Sequence, residues 1–161
     1  MLKASVELSG ANAALDALPR EVIEAVAAKV KALTINLQHH IVADKLQGQV
    51  LHHRSGNLGR SIQEEVETSG ATTTGQVYSS GDVKYAAIHE FGFHGIENVR
   101  EHIRTVAFGR EVAPFIVHGF QRQVNMPERS FMRSSLADHA EIIIDGIRAA
   151  AIAGAREAMA K

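Results

Sequence analysis

The chain has 161 residues, 45% of them hydrophobic and 22% charged, with a formal net charge of −1, enough for one domain that buries roughly 68–70% of its unfolded surface. Cysteine is absent, which excludes a disulfide framework, a thiolate zinc site and a cysteine nucleophile; the near-zero charge gives no global field to recruit DNA or an anionic membrane. No apolar run approaches the roughly 20 residues of a membrane span, and Met1-Leu2-Lys3-Ala4-Ser5 starts no secretory signal, so the expected site of synthesis is a cytoplasm.

Val6 and Leu8 share one side of Ser5 to Ser9 and predict a short strand that Gly10 ends. Pro19 suits a first helical turn. From there Val22, Val26, Val30, Leu33, Leu37 and Ile41 recur at spacings of three and four, predicting one long helix with Lys29, Lys31, Gln38, Asp44 and Lys45 off its stripe and Gly48 as its stop. After a loop, Asn57 is placed to cap a brief turn through Leu58 and Arg60. Ile62, Glu64, Val66 and Thr68 then alternate with Gln63, Glu65 and Glu67, as a strand with an exposed acidic face does. Gly70 to Gly75 reads as the turn of a hairpin and Gln76 to Ser79 as its return strand.

Tyr85 to Phe91 predicts a short helix with Tyr85 and Ile88 inward and Phe91 as a third candidate. Ile96, Val99, Ile103 and Val106 suit an amphipathic helix that Pro114 breaks, and the alternation of Ile116, His118, Phe120, Arg122 and Val124 suits a strand ended by Pro127. The final helix, from about Phe131 to Ala158, carries a stripe of Leu136, Ala140, Ile143, Ile147, Ala151, Gly154 and Ala158. Its Ala- and Gly-rich late half permits another backbone to approach closely. The expected architecture is α+β and a single domain over residues 1–161. An antiparallel sheet of three to four strands is packed by one long helix in the N-terminal half and one long C-terminal helix. Sheet edges left open are a liability in a monomer and a docking surface in an assembly.

None of the chemical groupings meets its geometric requirement. His89 and Glu90 with His94 invite a metal-hydrolase reading, but zinc-protease histidines stand four apart on one helix, and here the gap is five with Gly92 between. The expectation is instead that Glu90 faces solvent and His89 pairs locally. The adjacent pairs His39-His40 and His52-His53 point apart and do not chelate by themselves. Ser55 and Ser130 lie in no nucleophile elbow, Gly56-Asn57-Leu58-Gly59 lacks the Gly-Lys-Ser/Thr ending of a phosphate loop, and alternation sends Glu64 and Glu65 to opposite faces. The sequence therefore predicts no catalytic residue, no metal site and no cofactor.

From Arg100 to Arg156 there are eight arginines and no lysine. Arginine is enriched in protein interfaces, although codon bias in a GC-rich genome gives the same pattern. Arg100, Arg104, Phe108, Arg110, Phe115, Phe120 and Arg122 are the candidate partner interface, and residues 93–123 a candidate interface arm or insertion. Arginine with interleaved phenylalanine also suits a nucleic-acid-binding module, but Glu97, Glu101, Glu111 and Glu128 interrupt the basic run, which favours a protein partner.

Three blocks carry a resemblance. They are Arg54-Ser55-Gly56-Asn57-Leu58-Gly59-Arg60, Tyr85-Ala86-Ala87-Ile88-His89-Glu90-Phe91-Gly92, and Pro127-Glu128-Arg129-Ser130-Phe131-Met132. Their order and spacing, over roughly residues 10–155, resemble the tail-completion or neck (head–tail joining) family of long-tailed bacteriophages, typified by gene product ten of a lambdoid phage. The family patterns are an Arg-Thr-Gly-x-Leu-Arg turn, a Tyr-Ala-x-x-x-Glu-x-Gly block and a Pro-x-Arg-Pro-Phe-Leu start to the last helix. Ser55 stands where threonine is common, Gly59 where arginine is, and Ser130 where a second proline is, and residues 93–123 are longer than in a minimal member. The resemblance implies structural roles for Arg54, Gly56, Leu58, Tyr85, Ala86, Glu90, Phe91, Gly92, Pro127, Arg129 and Phe131. It implies a virion protein made in a bacterial host cytoplasm that joins or seals tail tube and head connector, with a tail-terminator ring or minor tail protein as alternatives. The implied partners are further copies of itself in a ring, neighbouring tail-terminator, tail-tube and head-connector proteins and, passively, DNA, with no membrane.

Overall fold

The computed structural model describes residues 2–6, 18–51, 56–81 and 83–161. The elements in chain order are β1 (Leu2–Val6), α1 (Arg20–His40) continuing as a wider π-helical segment (Ile41–Gln49), α2 (Asn57–Ser61), β2 (Ile62–Ser69), β3 (Thr72–Ser79), α3 (Tyr85–Phe91), β4 (Phe93–Val99), β5 (His102–Ala107), β6 (Arg110–Val117), β7 (Phe120–Met126) and α4 (Met132–Met159). The class is α+β with a long helix in each half, as expected. The strands do not form one sheet. They make a three-stranded antiparallel sheet of order β1-β3-β2 and two separate two-stranded ladders, β4-β7 and β5-β6.

The stripe of α1 explains the body. Val22, Val30, Leu33 and Leu37 are buried, and this helix lies between the sheet, which it meets at β2 and β3, and α4, its most extensive partner. The C-terminal helix reaches the sheet only lightly, at β1. Its small residues do permit close approach: a Cβ added at Gly154 would stand 2.7 Å from the Cα of Val22. Past His40 the stripe continues through Ile41 and Leu46 into a core shared with Leu51, Ile62, Val77, Ala86, Phe131 and Met132. Lys45, expected off the stripe, is buried instead, its ammonium 2.6 Å from Asp138 Oδ2 on α4. That carboxylate supplies the charge partner a buried ammonium requires.

Several local expectations are corrected. The predicted strand from Ser5 to Ser9 overlaps β1 only at its end, and residues 7–17 lie outside the described residues. The hairpin turn is not Gly70 to Gly75 but only Gly70-Ala71; Thr72 to Gly75 belong to β3 and pair with Val66 to Ser69. β-Branched threonines favour the strand. Gly75 serves close packing rather than turning: a Cβ there would stand 2.0 Å from the Thr34 hydroxyl of α1 and 3.2 Å from Val30 Cγ1. In α3 the inward residues are Ala86 and Glu90, four apart on one helix face, whereas Tyr85 and Phe91 are exposed.

The largest correction concerns residues 93–126. The predicted helix through Ile96 and Val106 is two strands, and the predicted single strand through Ile116 to Val124 is split between β6 and β7 at His118-Gly119. Isoleucine and valine at these positions fit a pleated surface as well as a helical stripe, and cross-strand pairing decides between the two. Phe93 pairs with Met126 and Val99 with Phe120, then His102 with Val117. Pro114 does not break the segment. It lies in β6 where the register shifts between Arg104 and Val106, and a bulge of this kind leaves residues without a ladder partner, so that proline's missing N–H is tolerated.

Gly75→Ala should destabilise the chain by about 1–3 kcal/mol through overpacking against Thr34, read as a lower denaturant midpoint. Combining it with Thr34→Ala, which removes the clashing hydroxyl, should recover most of the loss.

Candidate functional site: a buried carboxylate at the base of an arm

Glu90 closes α3 with no exposed surface, the opposite of the solvent-facing role expected for it. Its carboxylate accepts five hydrogen bonds. Oε2 takes the backbone N–H groups of Phe131 and Met132, at 2.8 and 2.9 Å. Oε1 takes the Ser130 hydroxyl at 2.8 Å, the Arg133 backbone N–H at 2.9 Å and the Arg133 Nε at 3.1 Å. The first turn of any α-helix presents N–H groups with no partner of their own and a partial positive charge. At α4 no side chain from the helix's own cap supplies the acceptor; Glu90 supplies it from another element. Burial pushes the Glu90 carboxyl up, but the donors from Met132, Arg133, Ser130 and Phe131 together outweigh burial and hold it below the usual glutamate range.

The clamp is stitched from both sides. Arg133 Nη2 also donates to the Glu90 backbone carbonyl at 2.9 Å and to Glu128 Oε1 at 2.8 Å, with its guanidinium 4.8 Å from the Phe91 ring centre, a cation–π distance. The Arg129 N–H donates to the His89 carbonyl at 2.8 Å. Burial, and secondarily the Arg129 guanidinium, lower the His89 pKa. Gly92 has φ 73° and ψ 174°, and a Cβ there would lie 2.9 Å from both Glu128 N and Met126 O. Only glycine takes both this left-handed φ and the close approach without strain. The arm therefore leaves at Gly92 and returns at Met126 within one hydrogen-bonded knot.

The second and third sequence blocks meet here, and the first joins the same core. Gly56, at φ 76°, starts α2, and Leu58 packs against the core that also holds Ala86 and Phe131. Arg54 lies outside the described residues, as do His52 and His53. Tyr85 is exposed and contacts His89 edge-on, with ring centres 5.8 Å apart. Pro127 and Arg129 are exposed, Arg129 contributing through its backbone. The residues that sequence reasoning missed are Ser130 and Arg133 as partners of Glu90 and Glu128 as a partner of Arg133; the available signal was a glutamate in a short helix preceding a proline-marked helix start. With both Glu90 oxygens occupied by protein donors, His89 and His94 have no free carboxylate between them. Among the described residues no cluster of three or more His, Asp or Glu is placed to hold a metal.

A second polar junction lies between α1 and α4. His40 Nδ1 is 2.6 Å from the Ser135 hydroxyl, its ring centre is 4.3 Å from that of His139, and Asp44 is 3.6 Å from its Nε2. The order Ser–His–Asp superficially suits nucleophilic chemistry, but Ser135 is fully buried, so its hydroxyl serves the helix contact. Burial, then His139, lower the His40 pKa. A histidine depressed in this way contributes stability above its unfolded value of about 6.5 that falls away as pH drops below it.

Residues 93–126 form the arm. Its four strands make extensive contacts only with one another. Ile96, Ile103, Phe115, Ile116 and Phe120 are all exposed along it. At its tip Ala107 pairs with Arg110, leaving a two-residue turn of Phe108 and Gly109 with φ of 54° and 75°. Two-residue hairpins need positive φ, and Asn or Gly supplies it at little cost. Here a phenylalanine does so, fully extended into solvent at 102% exposure. Of the candidate interface residues, the structure gathers all seven onto this arm or the junctions between its strands; Arg122 is tied to Glu97 at 2.6 Å, and Arg104 Nε donates to the Val106 carbonyl at 2.8 Å. No helix among the described residues is long and apolar enough to cross a membrane. The chain matches no protein-family model, no curated protein and no solved structure.

Replacing Glu90 with alanine or glutamine leaves helix N–H groups facing no acceptor or an amide N–H₂. Each should destabilise by about 3 kcal/mol or more, read as a lowered midpoint of chemical unfolding. Because the folded carboxyl is depressed, its contribution is complete above the unfolded value of about 4.3 and is lost as pH falls through the folded value. The acid limb of the stability curve should accordingly be shallower in Glu90→Gln.

Proposed function

We propose that this chain is a structural virion component of a long-tailed phage or prophage, a tail-completion or neck protein at the head-proximal end of the tail. It would join or seal the tail tube to the head connector, and a tail-terminator ring is the runner-up. The observation that carries the reading is the convergence of the three motif blocks: the second and third are bonded through Glu90, and all three contribute to one core. A motif glutamate committed to five protein donors is an architectural residue, and the blocks it ties together hold the base of a projecting arm.

The arm is the part of the chain fitted to meet neighbours. It exposes large apolar side chains on both faces, with Ile103 paired directly opposite Ile116, surface that a neighbouring protein would cover. Phe108 adds a strained backbone at the most exposed position, and strain that persists without packing to hold it points to function at that position. In this reading the work is geometric: a rigid body positions arms that are covered when neighbouring subunits or tail and connector proteins assemble around them.

In a phage carrying this gene, disrupting it should give heads and tails that fail to join, visible by electron microscopy, with a plasmid copy restoring infectious particles; normal infectious particles without the protein overturn the reading. Residues 94–125 can be replaced by a two-residue turn between the paired Phe93 and Met126. That variant should keep its cooperative unfolding transition while failing to restore particles. Phe108→Asn should leave the unfolding midpoint equal or raised, since asparagine tolerates positive φ, yet reduce particle yield. An unfolded arm-deletion chain would place the segment in the core instead.

A further inference from the structure

We infer that the arm of one copy of this chain docks along strand β2 of a second copy, β5 lying beside the open edge of β2. Both are unpartnered edges: β2 is the outermost strand of the β1-β3-β2 sheet, and β5 and β6 pair only with each other. An edge strand presents a row of backbone N–H and C=O groups able to take another strand.

Charge selects the occupant. On β2 the exposed Glu64, Glu65 and Glu67 form no ion pair among the described residues. On the arm Arg122 is paired with Glu97 at 2.6 Å and His118 with Glu101 at 3.0 Å. Arg100, Arg104 and Arg110 are exposed and meet no carboxylate among the described residues, and only Glu111 offsets them. His102 and Arg104 stand at alternate positions of β5 and so share one face, and Arg100 lies two residues before the strand. One molecule thus carries an unneutralised acidic strand edge and an unneutralised basic one, in two different places.

The same charges disfavour pairing of like surfaces. Two β2 edges brought together would oppose three glutamates to three glutamates, and two arms would oppose arginines to arginines. Like charges directly opposite on paired strands are destabilising. Only the unlike surfaces fit, so the arm of one copy meets β2 of another, either reciprocally between two copies or in series. It rests on reading the arm as an assembly element, and it names the surface and the partner that reading left open.

The test uses the full chain. Wild type should self-associate in sedimentation velocity at low salt and dissociate as salt rises. Glu65→Arg with Glu67→Arg, and separately Arg104→Glu with Arg110→Glu, should each weaken association on the order of a hundredfold, since like-charge juxtaposition costs several kcal/mol and each 1.4 is tenfold. Circular dichroism should show both variants folded. Mixing the two variants, one basic and the other acidic on both surfaces, should restore association, because each arm then meets a β2 edge of opposite charge. A wild type that stays monomeric at low salt overturns the inference, as does association indifferent to either reversal, or sensitive to the arm alone. In those cases the arm reading is judged separately, by whether the arm-deletion variant restores infectious particles.

Discussion

The carboxylate of Glu90 is the constraint on which the rest of the structure depends. A helix as long as α4, Met132–Met159, must find acceptors for its first N–H groups, and the usual solution is a short polar side chain at the cap. Here the acceptor comes from α3, so capping the helix and fixing the tertiary position of α3 are one event. The arrangement is balanced on donor number: a carboxylate without exposure is unfavourable alone, and three backbone N–H groups, a hydroxyl and a guanidinium N–H reverse the sign. Phe131 and Met132, whose N–H groups bind Glu90, have side chains in the centre of the core. Polar and apolar ordering therefore reinforce each other at the same residues.

That knot also explains how an arm can be inserted without weakening the body. The chain departs two residues after Glu90 and returns four residues before Ser130, and the two ends are joined by the Arg129–His89 hydrogen bond, the close passage at Gly92 and the Phe93–Met126 pair. The closure entropy of the intervening segment grows only slowly with its length. Arm length can therefore vary while the base remains the same structure.

Much of the body was legible in the amino-acid pattern. The stripe of α1 and the stop at Gly48 (φ 130°) follow from helical periodicity and glycine chemistry, and α4 begins within a residue of where Pro127 and the later apolar spacing put it. The strand pattern of β2 was equally plain. What escaped was long-range. Nothing local distinguishes a glutamate destined for solvent from one aimed at a helix start more than forty residues onward, so the local pattern sends Glu90 to solvent. Lys45 misled in the same way, its partner Asp138 lying on α4. In residues 93–126 the apolar spacing fitted a helix and strands alike, and pairing with β6 and β7, invisible in a local window, decided it.

The charges of this chain have a consequence for the kind of assembly it can build. Edge strands are commonly protected by charge, and a row of glutamates on β2 does protect against another β2. It does not protect against a basic strand. Under the proposed contact each subunit would offer its arm and receive another on β2, either reciprocally in a closed pair or in series. Repetition of such a contact either closes as a ring or continues as a filament, and the rotation per step decides which. In such a series the rotation would follow from the direction in which the arm leaves the body, at the crossing where Gly92 passes close to Met126 and Glu128 and Arg133 binds the Glu90 carboxylate. Under the proposed assembly the buried clamp and the exposed arm would act together, the interior hydrogen bonds at the base of the arm orienting the surface that meets the next subunit.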